Sequence, residues 1–213
     1  MPANAVPASF KPAPAPAASS TPPETSRPAA PALESTVNRH LGGFIRPDLG
    51  FGYLTTRASQ SGTDVSIVGP AGTFGIAVGS AISENEVLAF HLWDMVVTNP
   101  TFTSGSNTVS NVNATLTLVA FGPEYTTYSK DNFYASFSPA LTRMSIAANG
   151  NTTDTNWGFG FRTALGKEWW VSDHWGVGVA AHVSFSVNQD SGSANPPTWT
   201  GWGATLAFSA TYN

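Results

Sequence analysis

Residues 175–187 read WGVGVAAHVSFSV and alternate without a break. The odd positions Trp175, Val177, Val179, Ala181, Val183, Phe185 and Val187 are apolar, and the even positions Gly176, Gly178, Ala180, His182, Ser184 and Ser186 are small or polar. A period of two belongs to a β-strand with chemically distinct faces. The stretch 202–212 repeats it, with Trp202, Leu206, Phe208 and Tyr212 on one face and Thr205, Ser209 and Thr211 on the other. In a third segment Trp157, Phe159, Phe161, Leu165 and Trp169 oppose Gly158, Gly160, Arg162, Gly166 and Glu168.

Three further segments alternate in the same way. Phe133, Phe137 and Leu141 oppose Tyr134, Ser136 and Ser138. Phe74, Ile76 and Val78 oppose Gly75, Ala77 and Gly79. Ile45, Leu49, Phe51 and Tyr53 oppose Arg46, Asp48, Gly50 and Gly52. Residues 87–97 and 113–122 are strand-like with an unsettled phase. In the first, Leu88, Phe90 and Leu92 share one face, whereas Met95 and Val97 share the other. A bulge near Trp93 reconciles them and turns both His91 and Asp94 inward.

This makes eight strands. Short polar turns at 83–86, 126–131 and 172–174 alternate with longer Ser/Thr/Asn/Gly loops at 57–72, 98–112, 147–155 and 188–198. An even strand count joined by hairpins, with long and short connections at opposite ends, describes an up-and-down antiparallel barrel.

Composition narrows the class. The chain has 213 residues, no cysteine, 9 Lys+Arg and 13 Asp+Glu. An acidic chain with so few cations cannot form the basic face that a nucleic-acid binder needs. The lack of cysteine removes disulfide scaffolds, thiolate metal sites and cysteine nucleophiles. Only 10% of residues are charged, far below the ~25% usual for soluble domains. No apolar run reaches the ~18 residues of a spanning helix, but a spanning strand needs only ~9–11.

Two ways of closing the barrel differ in which face meets the axis. Seven Trp and most of 13 Phe overfill the interior of an eight-stranded barrel, which only just accommodates ordinary side chains. Small residues fit that interior, and large apolar ones fit an outer wall against lipid. The expected fold is therefore all-β: an eight-stranded antiparallel up-and-down transmembrane β-barrel over residues 37–213. Trp169, Trp170, Trp175 and Tyr212 then fall near the short turns, and Trp157, Trp199 and Trp202 near the long loops, as two aromatic girdles at the lipid headgroups. The alternative is a soluble lipocalin-like barrel with its apolar face around a ligand.

Residues 1–36 hold nine of the 16 prolines and almost no β-branched or aromatic residues. Such a segment buries too little apolar area to order itself, so a disordered Pro/Ala-rich N-terminal tether is expected. Residues 1–10 show neither the basic start nor the apolar core of a secretory signal.

With the alternation of strands and loops, the Gly-Phe-Gly-Tyr stretch at 50–53 and the aromatic closing segment 202–212, residues 37–213 resemble the small eight-stranded outer-membrane barrels of Gram-negative bacteria, the outer-membrane-protein A and X type. The resemblance implies a bacterial outer-membrane location, with short turns and both termini in the periplasm. It implies contact with outer-membrane lipid and lipopolysaccharide. It also implies insertion by the barrel-assembly machinery, which reads an aromatic terminal segment; here Asn213 follows Tyr212. A tether in the periplasm leaves room for a partner there.

By parity Arg46, Asp48, Arg162, Glu168 and His182 face the lumen. They form either an ion-pair network that fills it or, with the many inward glycines, a narrow polar path. His182 and Ser184 point to one side, like the His-x-Ser pair of outer-membrane lipid A deacylases. Yet Phe185 replaces that family's flanking residue, and Glu168 lies toward the far end of its strand. His40, His91 and His174 lack metal-ligand spacing. No catalytic residue, metal or cofactor is therefore assigned. The expected role is non-enzymatic: envelope-structural, adhesive or small-solute permeation.

Overall fold

The computed structural model describes residues 40–60, 62–192 and 195–213. The expected tether, residues 1–36, lies outside the described residues. Eight long strands form the barrel: β1 (Gly43–Gln60), β2 (Thr63–Ser83), β3 (Glu86–Thr98), β6 (Ala114–Tyr128), β7 (Phe133–Ala148), β9 (Gly158–Trp170), β10 (Trp175–Gln189) and β11 (Thr198–Tyr212). Three short strands, β4 (Thr101–Ser104), β5 (Asn107–Val109) and β8 (Asn151–Asp154), lie at the long-loop end. All pairings are antiparallel, and β1 pairs with both β2 and β11, which closes the cylinder and leaves the wall without a free edge.

The register fixes the barrel's girth. Thr55 pairs with Trp202, then Phe185, Phe161 and Pro139 in turn around the wall. Beyond Pro123, which faces Pro139, the path runs through Phe90 and Val78 back to β1 at Ile45, about ten residues from its start. Eight strands at this stagger tilt strongly and leave room inside for side chains alone. Pro123 and Pro139 offer no N–H, and the β6–β7 ladder is interrupted between Phe121/Leu141 and Tyr125/Phe137.

The alternation of the sequence maps onto the two faces. Leu49, Phe51, Phe159, Leu165, Leu206 and Phe208 are exposed on the outer wall. Arg46, Asp48, Arg162, Glu168, His182 and Ser184 are buried inside. The barrel is therefore inverted relative to a soluble one, as a membrane-spanning barrel must be. The lipocalin alternative required the opposite arrangement.

Three local expectations change. First, β3 has no bulge: its register against β6 is unbroken from Glu86 to Thr98. Val87, Ala89, His91, Trp93, Met95 and Val97 all face inward. Asp94 faces out, and its Oδ1 accepts the Phe74 N–H at 2.9 Å. The phase looked broken because apolar residues occupy both faces of the upper part of this strand.

Second, the described residues of 57–72 are mostly strand rather than loop. β1 and β2 run on as a ladder to Gln60 opposite Thr63, giving strands of 18 and 21 residues. That is about twice the length needed to cross a bilayer, so the hairpin projects beyond the wall. Third, 147–155 contains a tight hairpin in which Ala148 pairs with Asn151. Asn149 (φ 51°) and Gly150 (φ 80°) form its two-residue turn. Positive φ at both central residues suits the right-handed twist of the flanking strands and selects Asn-Gly.

Candidate functional site

The short-turn half of the interior is occupied by charge. Arg46 on β1 donates from Nη2 to Glu124 Oε1 at 2.6 Å and to Thr126 Oγ1 at 3.3 Å. Its Nη1 donates to the Tyr128 hydroxyl at 3.3 Å and stands 4.0 Å from Glu168 Oε1. The guanidinium also lies over the Tyr134 ring, 4.6 Å from its centroid. Glu168 accepts from Thr211 Oγ1 at 2.7 Å and from the Tyr128 hydroxyl at 3.3 Å.

A second cluster continues from the first. His91 places Nδ1 2.9 Å from Glu124 Oε2 and Nε2 3.9 Å from Asp48 Oδ2. Arg162 donates from Nη2 to Asp48 Oδ1 at 2.9 Å, and the same nitrogen contacts His182 Nδ1. Thus seven side chains from β1, β3, β6, β9 and β10 form one chain of contacts across the lumen. Each of these charges is buried, and each would cost several kcal/mol if left unpaired. The packing is close. A Cβ at Gly75 would collide with Asp48 Oδ2, which the contacts with Arg162 and His91 hold in place. The void inside this cluster, bordered by Arg46, Asp48, His91, Glu124, Arg162 and His182, measures about 10 Å³ for the centre of a water molecule. That is room for one water at most.

Toward the long loops the filling becomes apolar. Leu54, Trp93, Met95, Leu116, Leu118 and Met144 pack together with almost no exposure. Phe102, Ile146 and Trp199 pack against them. These large side chains project mainly from β3, β6 and β7 toward small residues of β10 and β11. Ser184 Oγ donates to Met95 Sδ at 3.3 Å, and a Cβ at Gly203 would lie 2.6 Å from the same sulfur.

The five lumen residues of the sequence analysis all belong to the charged cluster. Glu124, His91 and Tyr128 join them. Glu124 escaped notice because its strand had no settled phase, although Tyr125, an outward neighbour, gives its parity. Tyr128 and Tyr134, beside the short turn between β6 and β7, are buried inside. His182 and Ser184 both face the lumen, but the serine hydroxyl is directed at Met95 and the imidazole at Arg162 and Thr205. Among the described residues no base is aimed at the serine, so the pair lacks the geometry of an activated nucleophile.

Of the seven girdle aromatics, Trp157, Trp169, Trp175, Trp202 and Tyr212 are exposed on the outer wall. Trp170 and Trp199 are not. Trp170 has the opposite parity to Trp169 and lies beside the His40 ring, with centroids 5.2 Å apart. Trp199 has the opposite parity to Trp202 and covers the apolar filling. His40 closes the short-turn end: its ring stacks on Tyr128 at 3.6 Å, and its Nδ1 lies 3.1 Å from Asn213 Oδ1. Burial there holds the His40 pKa below 6.5, partly opposed by the Asn213 bond.

No protein-family model matches the chain, and neither does any curated protein. Among solved structures it is similar to Neisserial surface protein A (13% identity, TM-score 0.48, covering 80% of this chain and 96% of that one). It is also similar to the outer membrane protein OprG of Pseudomonas aeruginosa (10%, 0.49, 82% and 98%). A third is Ail, the attachment invasion locus protein of Yersinia pestis (7%, 0.36, 77% and 97%).

Proposed function

We propose that the protein is a non-enzymatic barrel of the bacterial outer membrane. In this reading it does not conduct, and serves as a scaffold that presents its long-loop end for adhesive or envelope-structural contacts. The observation that carries this reading is the filled interior. The charged chain and the apolar cluster lie in series, so a solute entering one end meets a second, chemically opposite obstruction. Permeation, the other role considered, finds no support in the charged half, whose void is the size of one water; the larger voids beside Leu116, Met144 and Trp199 lie at the long-loop end.

The projecting hairpin supplies the presenting surface. Thr200, Arg57, Ser66, Thr103 and Thr108 stand opposite one another across β11, β1, β2, β4 and β5. Arg57, Asp64, Thr103, Thr198 and Thr200 border a recess of about 440 Å³ on that face. Hydroxyls with one guanidinium and one carboxylate suit the sugars and phosphates of lipopolysaccharide. In this reading residues 1–36 lie on the periplasmic side, where a partner would meet them, and the barrel-assembly machinery inserts the chain.

Purified protein refolded into detergent and added to a planar bilayer tests the proposal. It is expected to insert, as followed by protease protection of the wall, without stepwise current. Discrete conductance steps in the folded protein overturn it.

A further inference from the structure

Lys167 is the anomaly of the outer wall. It shares its face with Leu165 and Trp169 and pairs across the strands with Val179 and Phe133. A cation among such neighbours in lipid is costly unless its head reaches the interface. Its ammonium does turn toward the short-turn rim: Nζ donates to the Asp131 carbonyl at 2.9 Å. It lies 4.0 Å from the Phe133 ring centroid and 5.9 Å from that of Trp169.

An apolar groove begins beside it. The groove crosses β9, β10 and β11, has a volume of about 660 Å³, and is lined by Phe133, Leu165, Lys167, Val179, Ala181 and Phe208 among others. Its floor is low because Ala181 stands where neighbouring outward positions carry Leu206 and Leu165. Beneath it Gly166 carries no side chain because the Tyr134 ring lies 2.5 Å from where a Cβ would stand. One end of the groove is thus cationic and the rest is hydrocarbon.

We propose that this groove is a binding site for one anionic glycerophospholipid of the leaflet that borders the short turns. The phosphate meets Lys167, and one acyl chain lies over Ala181 between Leu165 and Phe208. Charge complementarity selects this occupant. A second copy of the chain would bring another Lys167 or an apolar wall to the ammonium, whereas the phosphodiester brings the opposite charge and a tail of matching chemistry. The proposal rests on the membrane placement above.

The test uses the folded chain in vesicles of phosphatidylcholine containing a minor fraction of brominated-chain phosphatidylglycerol. A second set carries the bromines on the phosphatidylcholine instead. Bromine quenches Trp169 and Trp175, the nearest outer-wall indoles. Quenching by the brominated phosphatidylglycerol is expected to exceed its mole fraction several-fold in the unaltered protein. Lys167→Gln should reduce that excess to the mole fraction. Ala181→Phe, which fills the floor, should do the same with Lys167 in place. Circular dichroism checks that each variant is folded. An unaltered protein without excess quenching by phosphatidylglycerol, or an excess indifferent to both substitutions, overturns the site. If neither brominated lipid quenches the folded protein at all, the membrane placement itself fails.

Discussion

The two halves of the lumen fill the same tube with opposite chemistry. Toward the short turns, Arg46, Asp48, Glu124, Arg162 and Glu168 satisfy one another through directed contacts, and the loss of any member leaves a buried charge exposed to its own desolvation cost. Toward the long loops, Trp93, Met95, Leu116 and Leu118 fill volume without directional demands, and the loss of one leaves a void. The first half ties five strands into a single arrangement and resists being wetted by neutral solute. The second excludes water and ions by simple occupancy. Under the proposed function, the two fillings in series form a seal against charged and apolar species alike.

Substitutions can separate the two contributions. Arg46→Met leaves Glu124 and Glu168 facing each other across the axis, and a loss of about 3–5 kcal/mol is expected in urea unfolding of the vesicle-folded protein. Pairing it with Glu124→Leu should recover much of that loss. If the double variant is as weak as the single one, the charged half is not stabilised by pairing. Trp93→Ala is expected to cost about 3–5 kcal/mol through the cavity it leaves, at the lower end of that range if its neighbours collapse into the space. The bilayer should remain silent in this variant, since Arg162 loses the Trp93 ring beneath it but keeps its pairing with Asp48. Current in Trp93→Ala alone would show that the apolar half is the sole seal.

A smaller effect probes how the apolar half meets the opposite wall. Gly203→Ala forces a methyl against both Ser184 Oγ and Met95 Sδ and should destabilise by about 1–3 kcal/mol. Met95→Ala, harmful alone, should remove the sulfur's share of that cost and leave the share due to Ser184, and a double-mutant cycle reads the coupling. The smallest effect lies at the rim of the charged half. His40 has a folded-state pKa below its ordinary value, so the unfolded chain binds a proton more readily. Stability from this residue is therefore full above about pH 6.5 and declines as the pH falls below it. His40→Phe should flatten that decline in fluorescence-detected unfolding, and an unchanged pH profile would exclude His40 as its source.

The outer face and the five lumen charges were legible because period two needs no tertiary information. The lower halves of β1, β9 and β10 each present one apolar and one polar side. Legibility failed where the filling changed. On β3 an apolar interior meets an apolar exterior, and Trp93, Met95 and Val97 lose the contrast on which parity depends. Glu124 was lost with them. Lys167 was overlooked for the opposite reason: its face is so strongly apolar that one cation leaves the pattern readable without it. The Asn149-Gly150 turn stood in plain view, since that dipeptide is the strongest short-range hairpin signal, but the hydroxyl-rich residues around it read as loop.

Closure between β1 and β11 imposes an order on assembly. The earliest strand finds its second neighbour only in the latest one, so during insertion β1 carries an unsatisfied row of amides and carbonyls until the remaining wall has formed. Any truncation ahead of β11 would strand two sticky margins per molecule, and self-association rather than a smaller cylinder is the outcome such a fragment invites.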